Sequence, residues 1–158
     1  MRRLVLFIMY LWLVLPITGL AQDADPKALA EIQTTFQQHD AAMNGHDLDG
    51  VMALYSTKPN TVMLGTGPGE RWVGKEEIAA AYAEFFKDYD PNTFNSECTW
   101  RSGGINGNAA WLVAMCQVTD YLKNVKREYA LNISAVLEKQ DGKWQFSMLH
   151  FSNLTGGE

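Results

Sequence analysis

From Pro26 to Asn44 the chain places apolar side chains at Leu29, Ile32, Phe36, Ala42 and Met43, at three-, four- and seven-residue steps. That spacing predicts an amphipathic helix. Asp25 stands ready as its N-cap with Pro26 at the first helical position, and Gly45 supplies the stop. Asp47 then caps a shorter helix with Leu48, Val51, Met52 and Tyr55 on one face, closed by Lys58-Pro59-Asn60. Thr61 to Leu64 is a short β-prone run, and Gly65 to Gly69, with Pro68, forms a turn or open loop. Gly74 precedes a third helix, Lys75 to Lys87, with Ile78, Tyr82, Phe85 and Phe86 as an aromatic-rich stripe and Pro91 beyond its end. After Pro91 the hydrophobic period changes from about 3.6 to about 2. Phe94 to Ser102, Ala109 to Tyr121, Lys126 to Lys139 and Lys143 to Leu154 read as strands. They are separated by Gly103-Gly104 with Asn106-Gly107, by Lys123-Asn124, and by Asp141-Gly142, the last a two-residue hairpin signal. Helices first and long strands afterwards predict an α+β domain: a curved antiparallel sheet with three helices on its concave side.

The start of the chain follows another logic. Arg2 and Arg3 precede an apolar run from Leu4 to Leu15, Pro16 ends it, and Gly19 and Ala21 stand two apart before Gln22. This is the layout of a signal peptide over residues 1–21, cleaved after Ala21, leaving one domain over 22–158. The run is shorter than the roughly 20 residues a spanning helix needs, and no cysteine follows it to carry a lipid, so no stable membrane anchor is expected after cleavage. Export places the domain in the periplasm or outside the cell. The formal charge of −5 becomes −7 once both arginines leave with the leader, and no cluster of Lys and Arg offers a nucleic-acid surface. Cys98 and Cys116 flank the turn-rich stretch Ser102 to Asn108. A hairpin centred on Gly107 sets them opposite one another for a disulfide, whereas a centre between Asn106 and Gly107 pairs Cys98 with Met115.

Taken together, two helices, a short strand pair, a third helix and a four-strand meander resemble the nuclear transport factor 2-like superfamily of cone-shaped domains. Asp47-Leu-Asp-Gly-Val-Met-Ala-Leu-Tyr55 is similar to the second helix of its SnoaL-like branch, and Trp72-Val-Gly-Lys-Glu-Glu-Ile78 to the lead into the third. Asp141-Gly-Lys-Trp-Gln-Phe-Ser-Met-Leu-His-Phe-Ser152 resembles the closing hairpin of SnoaL-like proteins and of the association domain of calcium/calmodulin-dependent kinase II. The resemblance implies a conical pocket between helices and sheet and frequent homodimers through the outer sheet face. It does not imply one activity, since isomerases, cyclases, dehydratases, epoxide hydrolases, assembly domains and binding modules share the scaffold.

Residue by residue, the familiar chemistries of that scaffold find little support. By resemblance Leu64 falls where steroid isomerases carry their general-base Asp, and a leucine cannot take a proton. No Asp-Arg-Asp set suits an epoxide hydrolase. His150 is a candidate for proton transfer, sharing a face with Trp144, Phe146, Met148 and Ser152 on strict alternation; a lone His on an apolar strand face is more often structural. Asp40, four residues after Phe36, is its candidate partner, whereas His39 reads as solvated helix surface. Phe36, Tyr55, Trp72, Tyr82, Phe86, Trp100, Trp111 and Tyr129 are the expected aromatic pocket residues, with Tyr55 or Tyr82 orienting a ligand. Arg71, Arg101 and Arg127 could meet an anionic group if two converged. No metal or nucleotide motif and no nucleophile elbow is present, so no metal and no cofactor are expected. The sequence thus points to an exported domain that binds a small, largely apolar molecule without established catalysis. The alternatives are an acid/base enzyme of isomerase, cyclase or dehydratase type acting on a carbonyl compound, and a dimeric assembly module.

Overall fold

The computed structural model describes residues 25–153, so the leader and its cleavage point lie outside the described residues, as does Leu154. Three helices come first: α1 (Pro26–Asn44), α2 (Leu48–Ala53) and, after two short strands, α3 (Gly74–Phe85). The strands are β1 (Val62–Leu64), β2 (Arg71–Val73), β3 (Asn95–Asn106), β4 (Ala109–Leu122), β5 (Val125–Gln140) and β6 (Lys143–Asn153). They form one six-stranded sheet in the order β2-β1-β6-β5-β4-β3. The expected sheet is antiparallel except at one seam, where β1 runs parallel to β6. α3 and the long meander separate those two strands in the chain, so no hairpin forces them antiparallel.

Local chemistry explains most element ends. The Asp25 carboxylate accepts from the Lys27 N–H at 3.0 Å, and the Asp47 carboxylate from the Gly50 N–H at 2.9 Å, so both helices begin on an acidic cap. Two hairpins turn on residue pairs with left-handed backbone, Lys123-Asn124 (φ 53° and 64°) and Asp141-Gly142 (φ 49° and 78°). Positive φ at both central positions matches the right-handed twist of the flanking strands.

Two bulges decide which side chains face which way. In the β3–β4 hairpin Asn106 pairs with Ala109, so the turn centres between Gly107 and Asn108, beyond both predicted centres. Continued unbroken, that register would set Gln117 opposite Cys98. Instead Thr99 is an extra residue, Trp100 pairing with Met115 and Cys98 with Cys116. The two cysteines form a disulfide across the strands, their Cα atoms 3.8 Å apart. Closing a loop of this length contributes about 3 kcal/mol in the chain-entropy model. The second bulge is Ser147 in β6, left unpaired between Phe146–Leu137 and Met148–Val136. Each bulged residue is a hydroxyl amino acid that donates to a carbonyl of the partner strand, Thr99 to Met115 at 3.4 Å and Ser147 to Val136 at 3.2 Å.

The core fills the concave side. Ile32, Met43, Val51, Tyr55, Ile78, Tyr82, Leu137, Trp144, Phe146 and Leu149 pack there, joining all three helices to the sheet. Phe36 meets Phe146 edge to face with centroids 5.1 Å apart. The convex side is different: Trp100, Trp111, Val113 and Met115 are exposed on it. The Trp111 ring lies flat on the backbone at Gly104, where a Cβ would come within 2.2 Å of the indole.

Candidate functional site

A cavity of about 520 Å³ lies between the C-terminal half of α3 and the inner faces of β5 and β6. Met43, Met63, Trp72, Ala81, Tyr82, Phe94, Tyr129, Leu131 and Phe151 supply its walls. Thr66 and Glu70 of the β1–β2 loop, Glu84 and Phe85 at the end of α3, and Asp88 are exposed lining residues that form its rim. Gly65, Arg127 and Asn153 complete the lining. Both the size and the balance of apolar wall to a few polar groups suit a small organic ligand.

Beneath the cavity runs a buried hydrogen-bond chain. His39 Nε2 is 2.9 Å from the Tyr82 hydroxyl, which is 2.8 Å from the Tyr55 hydroxyl, and all three side chains are buried. Burial is the main cause that holds the phenols of Tyr55 and Tyr82 far above their ordinary range, so both remain neutral. Two proton arrangements satisfy the chain. In one, Tyr55 donates to Met63 Sδ at 3.5 Å, Tyr82 donates to Tyr55, and His39 donates from Nε2. In the other the direction reverses, and Nδ1–H of His39 faces the Asp40 carboxylate at 3.7 Å. The hydrogen-bonded chain therefore joins His39 of α1 to a tyrosine that lines the cavity, and the solvent-facing Asp40 carboxylate stands 3.7 Å beyond its end.

A second polar cluster braces the wall. Asp120, buried on β4, accepts from Arg127 Nε at 2.7 Å and Nη2 at 2.9 Å, and from the Tyr129 hydroxyl at 2.8 Å. Arg127 also donates to the Asp88 carbonyl at 2.5 Å. The Asp120 carboxylate holds the Arg127 guanidinium above its ordinary range. Asp90 accepts from the Lys123 and Asn124 N–H groups at 3.0 and 2.9 Å, which hold its carboxyl below the usual range. These bonds fasten the segment after α3 to the β4–β5 hairpin, fixing one side of the cavity.

The predicted site residues divide sharply. Trp72, Tyr82 and Tyr129 line the cavity, while Phe36, Tyr55 and Phe86 belong to the packed interior. Trp100 and Trp111 are not pocket residues: each leaves half of its surface exposed on the convex face, at 51% and 50%. The Thr99 bulge sends Trp100 outward beside Met115, its partner across the strands. His150 is likewise displaced. The Ser147 bulge reverses the alternation, so Leu149, Phe151 and Asn153 take the inner face and His150 pairs with Leu64 and Ser134 on the outer one.

Leu64 thus faces away from the cavity, and its neighbour Met63 lines it. Asp40 lies 65% exposed, because the buried stripe of α1 runs through Ile32, Thr35, His39 and Met43 and the next residue is rotated about 100° off it. His39, read as surface, is the buried member. Of the three arginines only Arg127 lines the cavity; Arg71 shares the outer side with its partner Leu64, and Arg101 sits on edge strand β3. The signal for His39 was its place at steps of three and four from Phe36 and Met43, read without weighing Thr35 as part of the same stripe.

The curved sheet, three helices and open-mouthed cavity define a nuclear transport factor 2-like cone. The chain superposes on a ketosteroid isomerase-like protein from Erwinia carotovora with a TM-score of 0.68 and 23% identity, covering 84% of this chain and 100% of that one. A nuclear transport factor 2-like protein of unknown function from Pseudomonas putida gives 0.70 at 18% identity, covering 85% and 92%. A candidate calcium/calmodulin-dependent protein kinase II association domain from Xanthomonas campestris gives 0.67 at 22%, covering 85% and 91%. At these identities the likeness shows the fold alone. The profile of the SnoaL-like domain matches residues 32–156, and the chain belongs to that family. No curated protein sequence matches it.

Proposed function

We propose that this protein is an exported SnoaL-like domain that binds a small, largely apolar molecule in the cavity beneath α3. The observation that carries the reading is the cavity itself: about 520 Å³ of mostly apolar wall that the core residues leave unfilled, with polar groups gathered at its rim and floor. A purely structural cone would close that space with side chains. Export is supported by the leader pattern of residues 1–21, and the Cys98–Cys116 disulfide suits an oxidising compartment. The exposed convex patch of Trp100, Trp111, Val113 and Met115 supports homodimerisation through the outer sheet face.

A second reading, acid/base chemistry on a carbonyl compound, is favoured by the His39–Tyr82–Tyr55 chain. With a carbonyl ligand present, His39 Nε2 and the Tyr55 hydroxyl can both donate to the Tyr82 oxygen, which leaves the neutral Tyr82 phenol to donate to the carbonyl oxygen and stabilise charge developing there. In that reading Tyr82 and His39 take the parts expected of His150 and Asp40.

The test uses the neutral fluorescent probe N-phenyl-1-naphthylamine. The native domain should enhance its emission, and Ala81→Trp, which puts an indole into the cavity, should abolish the enhancement. Absence of binding by the native domain, or binding unaffected by Ala81→Trp, overturns the proposal. Native mass spectrometry of protein from its own host would then identify a retained molecule by mass.

A further inference from the structure

The charged groups of the cavity differ from those an anion would need. Arg127 is the only Lys or Arg among the lining residues, and its guanidinium makes two bonds to the buried Asp120 carboxylate and a third to the Asp88 carbonyl. The Tyr129 hydroxyl, the other strong donor on that wall, is committed to Asp120 as well. Among the described residues Nε and Nη2 of Arg127 and the Tyr129 hydroxyl are thus committed, and Asp120 already balances the guanidinium charge, so an entering carboxylate or phosphate would meet little uncompensated positive charge.

Acceptors are placed the other way. Glu70, Glu84 and Asp88 line the cavity at its rim. Glu84 shares its charge with Lys87 at 2.7 Å, but among the described residues neither Glu70 nor Asp88 forms an ion pair. Carboxylates beside low-dielectric walls raise the local concentration of cations, and Trp72, Phe94 and Phe151 in the walls supply aromatic rings of the kind that attract them.

We infer, building on the ligand-binding reading above, that the molecule this cavity takes is cationic: an apolar or aromatic amine. Its hydrocarbon part lies against the aromatic walls, and its ammonium group lies at the rim near Glu70 and Asp88.

The experiment displaces N-phenyl-1-naphthylamine from the native domain at neutral pH with 2-naphthylmethylamine, 2-naphthylmethanol and 2-naphthoate, which share one hydrocarbon and differ in charge. The amine should bind at least about tenfold more tightly than the carboxylate, with the alcohol between them. That ratio should shrink as salt is raised, because exposed charges are screened. In the double variant Glu70→Gln/Asp88→Asn the ratio should fall below about threefold. A ratio of two ligands on one protein cancels any general loss of affinity, and the salt series on the native domain stands even if the variant does not fold. Equal or tighter binding of the carboxylate, an alcohol equal to the amine, or a ratio indifferent to salt overturns the inference while the ligand-binding reading survives. A native domain that never takes up the neutral probe removes the ligand-binding reading, and this inference with it.

Discussion

The two faces of the sheet both carry aromatic side chains and treat them oppositely. On the concave side Tyr55, Tyr82 and Phe146 are wholly or almost wholly buried, their rings in mutual contact and both hydroxyls hydrogen-bonded. On the convex side Trp100 and Trp111 leave half of their surface exposed, the Trp111 indole packing over Gly104 of the neighbouring strand. An aromatic residue on this scaffold therefore carries no fixed meaning. Its role follows from the face it takes, and for a strand residue that face is set by hydrogen-bond register.

The largest contrast should come from the core. Phe146→Ala should lower stability by about 3–5 kcal/mol, since it empties a site enclosed by Phe36, His39 and Tyr55. Denaturant unfolding reads this directly, and a loss below about 1 kcal/mol would break the assignment of the core to the concave side. Removing one oxygen from the buried chain is a smaller change. Tyr82→Phe should cost about 1–3 kcal/mol, because His39 Nε2 and the Tyr55 hydroxyl both lose a partner away from water. If the variant unfolds at the native denaturant midpoint, the chain contributes nothing to the packed state.

A pH series sharpens the comparison within the helical side. His46 stacks on Phe86 with ring centroids 4.8 Å apart, and burial lowers its imidazole pKa, the charge of Asp90 opposing. The unfolded chain therefore binds the proton more readily than the folded one. The stabilising contribution is complete above the ordinary value of 6.5 and is lost as pH falls through the lowered folded value. His46→Asn, which suits the left-handed φ of 55°, should flatten the fall in melting temperature on acidification below neutral pH. An unchanged slope would assign the acid sensitivity to other groups. The smallest effect belongs to the convex face: Trp111→Ser should change monomer stability by about 0.5 kcal/mol or less in dilute solution. Sedimentation at higher concentration should show the same variant weakening the proposed dimer.

Much of the architecture was legible in the chain. The caps at Asp25 and Asp47 and the turn pairs at 123–124 and 141–142 are local decisions, made by side chains within a few residues of the backbone they govern. The site was less legible, and the errors share one cause. Strict alternation placed His150 with Trp144 and Phe146, but Ser147 inserts one residue and reverses every side chain after it. The same arithmetic governs Cys98, for which Cys116 and Met115 both stood open: the turn lies beyond either predicted centre, and the Thr99 bulge brings Cys116 opposite. A Ser or Thr in a strand is common, and nothing local distinguishes one that will be bulged, because its hydroxyl bonds to a carbonyl on another strand.

What the sequence by itself determined is therefore the set of elements and the class of cone they build, since periodicity, caps and turn residues act over distances of a few residues. The tertiary structure alone decided which residues meet at the cavity. It buried His39 and left Asp40 in water, turned His150 and Trp100 outward, and tied Arg127 to Asp120. Those outcomes depend on bonds between strands and on helix rotation against the sheet, where a shift of one residue carries a side chain from the core to solvent.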